Sequence, residues 1–126
     1  MAGITGIDHV QVAMPVGAED IARAFYNGVL GLPEVPKPAH LFARGGGVWF
    51  ACGAGQIHLG GDPAFIAAKK AHPALLVEDF SVFIAALEQA GIEVKPDEMV
   101  AGLLRATVLD PFGNKVELIE QRRVAA

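Results

Sequence analysis

An internal repeat constrains the fold of this chain more than any other feature of its sequence. Two halves, each of about 60 residues, follow the same order of apolar and polar segments. Each half begins with an alternating apolar run that carries one histidine, over 7–14 and over 72–77. Alternation with a period of two predicts a half-buried strand. The sequence therefore predicts one structural unit that occurs twice.

A helix and three short strands are expected after the first strand of each half. The helices are predicted over 18–30 and 79–90, and Gly31 and Gly91 mark their ends. In the first half we expect strands over 34–37, over 41–44 together with 48–52, and over 56–59. In the second half we expect them over 93–95, 103–109 and 115–120. Both halves therefore have the order β-α-β-β-β.

The two halves are expected to form a single domain over residues 1–126. One βαβββ module leaves a sheet face uncovered, so the modules 5–60 and 72–122 are expected to pair and bury it. The predicted fold class is α+β, with two paired βαβββ modules that form a cupped mixed sheet. Residues 61–71 are interpreted as a linker, and its middle, 64–70, favours one or two helical turns.

Composition and charge exclude several classes of protein. Hydrophobic residues make up 52% and charged residues 19% of the 126 residues, which is typical of a folded domain. The net charge of −4, with scattered Lys and Arg, argues against a nucleic-acid partner. No apolar run approaches the roughly 20 residues that a membrane span needs. A single cysteine and the lack of a recognisable secretory signal predict a cytoplasmic location.

Four polar residues at repeat-related strand positions form the candidate site. His9 is equivalent to His72 in the repeat, and His58 is equivalent to Glu117. Because side chains alternate along a strand, all four are expected on the sheet face that is turned away from the helices. Alone, each would be a hydrogen-bonded or surface residue. Together, three imidazoles and a carboxylate are donors typical of a metal site, and an enclosed carboxylate needs a cation.

Four further residues are candidates for substrate binding. Gln11 shares the predicted face of His9 and can hydrogen-bond a substrate. Arg105 alternates with apolar neighbours, so it either reaches an anion on the same face or remains a solvated strand charge. Trp49 and Phe50 lie on opposite faces of one strand. One of these two aromatic side chains is therefore expected to line a pocket, and the other to belong to the core.

The sequence resembles the vicinal oxygen chelate (VOC) superfamily, also known as the glyoxalase/bleomycin resistance/dioxygenase family, over about residues 5–122. The most specific motif is Asp-Pro-Phe-Gly-Asn-Lys-Val-Glu-Leu at 110–118. Further motifs that carry the resemblance lie at 8–10, 24–26, 30–32, 56–59 and 72–75. The resemblance implies the glyoxalase/bleomycin resistance/dihydroxybiphenyl dioxygenase fold. It also implies a homodimer and a small-molecule substrate.

The resemblance also implies one divalent metal ion as cofactor. His9, His72 and Glu117 match the three commonest ligand positions of the family, and His58 matches the fourth. Bacterial-type glyoxalase I carries Glu at that fourth position, so His58 is a departure from its pattern. Ni, Co, Mn, Fe and Zn all suit these ligands. The sequence leaves open whether the ligands come from one chain or from two.

The implied activity is that of a metal-dependent lyase or isomerase of the glyoxalase type. Such an enzyme chelates a small substrate through adjacent oxygens and stabilises an enediolate-like intermediate, with Glu117 or His58 as the base. Four protein ligands leave two open positions on an octahedral ion, whereas three leave another for dioxygen. An extradiol-type dioxygenase is therefore the alternative if His58 does not bind the metal. Outside catalysis, the alternative is a metal-free protein that binds a small molecule or an antibiotic.

Overall fold

The computed structural model divides into two compact units, Met1–Ala67 and Ala68–Ala126, and describes residues 1–122. Residues 123–126, the end of the predicted domain, lie outside the described residues. The division falls within the segment 61–71 that was expected to be a linker. Among residues 1–122, no helix is long and apolar enough to cross a membrane.

The first unit contains a four-stranded mixed sheet. Its strands, in the spatial order β1-β4-β3-β2, are β1 (His9–Met14), β2 (Glu34–Val35), β3 (Val48–Cys52) and β4 (Gly55–Gly61). β1 runs parallel to β4, and the other neighbouring strands are antiparallel. Helix α1 (Glu19–Ala22) continues directly as a π-helical segment, Arg23–Val29, and α2 (Ala39–Phe42) is a short helix before β3.

The second unit repeats this topology. Its strands, in the spatial order β5-β8-β7-β6, are β5 (Ala74–Val77), β6 (Lys95–Val100), β7 (Leu103–Leu109) and β8 (Lys115–Glu120). β5 runs parallel to β8, and helix α3 (Phe80–Gln89) follows β5. The predicted α+β class with two βαβββ modules is therefore confirmed.

Alternation along the strands creates the core of each unit. In the first unit, Phe50 of β3 is fully buried, and its ring stacks on that of Tyr26 at a centroid distance of 5.7 Å. Ile57 and Leu59, which flank His58 in β4, are buried as well. In the second unit, the corresponding buried strand residues are Ala106, Val108, Val116 and Leu118. The residues between these apolar positions point to the opposite face of each sheet.

Three local predictions are wrong. The strand expected over 93–95 begins only at Lys95 and continues to Val100. The segment 41–44 is not a strand, since α2 occupies Ala39–Phe42 and a turn follows. A short apolar run does not distinguish helix from strand, and positive φ angles at 45–47 then separate this run from β3. The segment 64–70 contains no helix. Its start forms a single turn, in which the backbone N–H of Phe65 donates to the Asp62 carbonyl and that of Ala64 donates to the Asp62 carboxylate.

Candidate functional site

The polar face of the first unit carries four of the predicted site residues. In the register of the sheet, His9 lies beside Gln56, and His58 lies between Gln11 of β1 and Trp49 of β3. Residues paired in register project from the same face of a sheet. Thus His9, Gln11, Trp49 and His58 share one surface, as the alternation of the sequence predicts.

The polar face of the second unit has a matching arrangement. Glu117 of β8 lies between Ala74 of β5 and Thr107 of β7. His72 lies two residues before Ala74, and Arg105 lies two residues before Thr107, so both belong to the same face.

These registers show which residues are equivalent in the repeat. His58 and Glu117 each occupy the central position between the first and third strands of a module. In each module, the first strand has one residue directly beside this central position. A histidine lies two residues before that neighbour in both modules, His9 in the first and His72 in the second. Each unit therefore presents one histidine and one central residue, which we call a half-site.

A stack of three rings dominates the half-site of the first unit. The His58 imidazole lies between the Trp49 indole and the His9 imidazole, with centroids 4.0 Å apart on both sides. The interplanar angles are 4° to Trp49 and 14° to His9. The Nε2–H of His58 donates to Oε1 of Gln56 at 2.7 Å, so the neutral ring carries its lone pair on Nδ1.

His58 is protected from protonation by its surroundings. Its side chain is almost fully buried, and this burial lowers the pKa of His58 from its ordinary value of 6.5. The neighbouring His9 and Lys37 lower the pKa further, while Asp8 opposes them. The His58 imidazole is therefore neutral near pH 7.

The ring stack limits which residues can bind one metal ion together. A metal lies in the plane of the imidazole that binds it, about 2.0–2.1 Å from the nitrogen. Two nearly parallel rings with centroids 4.0 Å apart cannot both have the same ion in their planes. His9 and His58 could therefore share an ion only if one of the rings turned out of the stack.

His9 has the orientation partner that metal-binding histidines usually have. Its Nδ1–H donates to Oδ2 of Asp8 at 2.9 Å, which leaves the lone pair on Nε2. The His9 side chain is 41% exposed, so a ligand can reach it. The role of Asp8 was missed in the sequence, although its position directly before His9 was an available signal.

An ionic cluster forms the half-site of the second unit. Oε1 of the buried Glu117 accepts a hydrogen bond from Nη2 of Arg105, and Oε2 lies 3.5 Å from Nε2 of His72. The Nδ1–H of His72 donates to the Lys70 carbonyl at 2.7 Å. Because a carbonyl oxygen can only accept, a neutral His72 presents the lone pair of Nε2 toward the carboxylate. These two electron-rich atoms require a proton or a cation between them.

The donor atoms of this cluster suit a divalent ion. Two ligands that each lie about 2.1 Å from a tetrahedral ion are about 3.4 Å apart, which is close to the observed 3.5 Å between Nε2 and Oε2. Arg105 holds the second carboxylate oxygen, as outer-sphere partners of metal ligands do. Within residues 1–122, however, no group of three or more His, Cys, Asp or Glu side chains could hold a metal ion.

One predicted substrate contact needs correction. Phe50 is fully buried against Tyr26 in the core, so it does not line the polar face, whereas Trp49 does. Arg105 lies on the predicted face, where it forms an ion pair with Glu117. Arg105 thus supplies the positive charge that the sequence argument assigned to a metal ion alone.

A cleft of about 570 Å³ lies on the polar face of the first unit. His9, Gln11, Trp49 and His58 line it, together with the basic residues Lys37 and Arg44. No periodic pattern in the sequence marks either basic residue. The run of three glycines at 45–47 was an available signal, because glycine lets other groups approach the backbone closely at the edge of this cleft.

Comparison with known proteins identifies relatives over nearly the whole chain. The family model described as Glyoxalase/Bleomycin resistance protein/Dioxygenase superfamily matches residues 6–118. A crystal structure of a glyoxalase family protein from Bacillus anthracis is 48% identical, with a TM-score of 0.91, and the match covers 97% of this chain and 99% of that one. A search of curated proteins finds no match.

More distant solved structures share the fold. Lactoylglutathione lyase from Agrobacterium tumefaciens is 24% identical, with a TM-score of 0.73 and coverage of 94% of this chain and 96% of that one. The fosfomycin resistance protein FosX from Listeria monocytogenes is 14% identical, also with a TM-score of 0.73, and the match covers 95% and 96% of the two chains. At these identities the likeness concerns the fold alone.

Proposed function

Since the chain belongs to the glyoxalase/bleomycin resistance protein/dioxygenase superfamily, we propose that it is a divalent-metal-dependent lyase or isomerase of the glyoxalase type. Its substrate is a small molecule with adjacent oxygens, one of them a carbonyl oxygen. His9, His72 and Glu117 are the proposed metal ligands, and His58 is the proposed base. The observation that carries the proposal is the pair of atoms in the second unit, Nε2 of His72 and Oε2 of Glu117, which face each other at 3.5 Å.

Hydrogen bonds on both sides of this pair support a ligand role. The Nδ1–H of His72 donates a hydrogen bond to the Lys70 carbonyl, and Arg105 donates one to Oε1 of Glu117. These bonds fix the orientation of the two proposed metal-binding atoms, Nε2 of His72 and Oε2 of Glu117. His9 has an equivalent partner in Asp8. Such outer partners orient a ligand and reduce the entropy that it loses on binding an ion. A bound divalent ion would supply Lewis-acid polarisation of the substrate carbonyl.

His58 is suited to proton transfer. Gln56 holds its Nε2–H, and the two flanking rings prevent the imidazole from rotating freely. The lone pair on Nδ1 accepts the proton from the carbon next to the substrate carbonyl and returns it to the neighbouring carbon. Gln11, beside His58 in the register, is the proposed hydrogen-bond donor to a substrate oxygen.

A second candidate function follows from the ring stack. Because His58 is stacked on His9, it is not one of the proposed ligands, and the set consists of two histidines and one carboxylate. That set is the facial triad of non-haem iron oxygenases and leaves open positions for dioxygen. An extradiol-type dioxygenase is therefore the competing activity. It differs in consuming dioxygen, whereas the proposed reaction does not.

Metal content tests the ligand assignment. In protein purified without a metal-affinity tag, we expect about one divalent ion per chain. His72→Ala and Glu117→Gln should each lower the metal content at least about tenfold, whereas the exposed controls His40→Ala and Glu88→Gln should retain it. His58→Ala should also retain the ion. Equal metal content in wild type, His72→Ala and Glu117→Gln would refute the assignment.

Isotope exchange tests the reaction. In D₂O, the enzyme should introduce deuterium next to the carbonyl of a hydroxy ketone or of a hemithioacetal, which NMR detects. His58→Gln should abolish this exchange while the protein keeps its metal. Dioxygen consumption with catechols, in the absence of deuterium exchange, would instead establish the dioxygenase. If the metal-loaded protein carries out neither reaction, both proposed activities are refuted and binding of a small molecule is the function that is left.

We also propose a cytoplasmic homodimer, and a mixing experiment tests whether a site uses both chains. His9→Ala and His72→Ala each disrupt a different half-site. If ligands come from two chains, a heterodimer of these variants contains one intact set and recovers about half of the wild-type metal. If each site belongs to one chain, mixing recovers none. Light scattering gives the mass of the assembly.

A further inference from the structure

The cleft of the first unit is lined by two basic side chains, and the nearby Glu19 carboxylate accepts a hydrogen bond from the backbone N–H of Gly47. Lys37 lies after β2 and Arg44 lies after α2, and both line the cleft. Asp8, which also lines it, is bonded to His9. Among the described residues, no ion pair within 4.0 Å includes Lys37 or Arg44. The cleft therefore has the electrostatic character of an anion site.

Lys37 is held at a defined position. Its Nζ donates to the Gly46 carbonyl and lies 5.9 Å from the centroid of the Phe42 ring. Gly47 has a φ of 117°, and a Cβ at that residue would come within 2.9 Å of Nζ. Glycine thus leaves the space that the ammonium group uses. A carbonyl satisfies one of three N–H groups and does not cancel the charge.

The repeat shows that the second unit also places a cation at this point. Arg105 lies two residues before Thr107, the neighbour of Glu117 in the register. In the first unit, the equivalent residue is Gly47, which lies two residues before Trp49. Nζ of Lys37 occupies the space that a side chain at Gly47 would take. Both units therefore place a cation beside the central residue of the half-site.

The two cations differ in what faces them. Arg105 is neutralised by the carboxylate of Glu117. The residue equivalent to Glu117 is His58, an imidazole that has no negative charge to offer Lys37. The cation of the first unit consequently lacks the internal anion that the repeat supplies in the second. An external anion would complete the same arrangement.

We propose that Lys37 and Arg44 bind an anionic group of the substrate, a carboxylate or a phosphate, in the cleft beside Trp49. The inference rests on the proposed function for the identity of the substrate, because the anion is taken to belong to the molecule that His58 deprotonates. Lys37 contacts the group from its fixed position beside Gly46 and Gly47. Arg44, whose side chain is exposed, supplies a second, bidentate contact.

Trp49 provides a direct measurement of binding, because it is the single tryptophan of the chain and lines the cleft. Protein freed of metal with a chelator is titrated with malonate, with inorganic phosphate and with uncharged malonamide at constant ionic strength. We expect a saturable change of fluorescence with malonate, with phosphate or with both, and none with malonamide. The tighter of the two anions identifies the chemical class of the group.

Substitutions then assign the binding to the two cations. Lys37→Gln and Arg44→Gln should each weaken anion binding about tenfold, the loss expected for one charge-assisted contact. Lys69→Gln, which removes one exposed charge outside the cleft, should bind as wild type does. Circular dichroism verifies that each variant is folded. Arg44→Gln keeps the test valid if Lys37→Gln does not fold, since the Arg44 side chain is exposed.

The anion titrations and the variants give the results that would overturn the proposal. These are a response that does not saturate, an equal response to malonamide, and undiminished binding in Arg44→Gln. A loss in Lys69→Gln as large as that in Arg44→Gln would overturn it as well, because only net charge would then matter. The proposed function fails separately, through metal content and deuterium exchange. Anion binding by a protein that takes up no metal would refute that function and retain the anion site.

Discussion

Replacement of Arg105 by methionine tests how the second unit stabilises a buried carboxylate. Glu117 exposes 7% of its surface, and Nη2 of Arg105 donates to its Oε1. Methionine preserves the apolar stem of the side chain but removes the charge and the N–H donors. Among the described residues, His72, at 3.5 Å, is then the remaining ionic partner of Glu117.

The expected cost follows from the burial of the two partners. Removing one member of a fully buried ion pair costs about 3–5 kcal/mol, because the other charge is left uncompensated. An exposed pair contributes about 0–1 kcal/mol. The side chains of Arg105 and Glu117 are 26% and 9% exposed, so the pair is closer to the buried limit. We expect Arg105→Met to lower the free energy of unfolding by about 2–3 kcal/mol, which is roughly 8–12 °C in Tm.

A double-mutant cycle separates this pair from other effects. Urea unfolding, followed by circular dichroism, is measured for wild type, Arg105→Met, Glu117→Gln and the double variant. The double variant should be more stable than the sum of the single losses predicts, by about 2 kcal/mol. Arg122→Met, at an exposed arginine of the same unit, should cost less than about 1 kcal/mol. Additive losses, or a loss no larger than that of the control, would refute the reasoning.

Two further predictions concern the first unit. Gly47→Ala should cost about 2–3 kcal/mol in urea unfolding, since φ is 117° and the new Cβ would come within 2.5 Å of the Leu59 carbonyl oxygen. Gly3→Ala, with nothing within 4 Å, should be neutral, and equal effects at both glycines would contradict the prediction. The lowered pKa of His58 means that its contribution to stability is fully present above about pH 6.5 and is lost as the pH falls through the folded-state pKa. Wild type should therefore lose more stability than His58→Gln between about pH 7.5 and pH 5, and parallel losses would disprove this.

Much of the fold could be predicted from the sequence because strand patterns are local. The strands 48–52, 103–109 and 115–120 have the predicted bounds, since their apolar residues alternate and turn residues surround them. The segment 41–44 was misassigned because a short apolar run suits either a helix or a strand. The helical state of that run depends on what packs around it, which the local pattern does not contain.

The candidate site could be predicted only as far as it follows the repeat. His9, His58, His72 and Glu117 were found because the same position recurs in both halves, and the strand registers confirm that equivalence. Lys37 and Arg44 come from loops without a period, so no pattern marks them. Phe50 was correctly paired with Trp49 as an alternating residue, but the sequence did not show which of the two was buried.

The sequence by itself determined the repeated βαβββ order and the types of donor atom on the polar faces. Both properties depend on residue identity and on a spacing of two along each strand. Only the tertiary structure decided how these donors are engaged: His58 is stacked between two rings, and Glu117 is already paired with Arg105. Such contacts join residues from different strands, and their strength depends on distance and burial, which chain order alone does not specify.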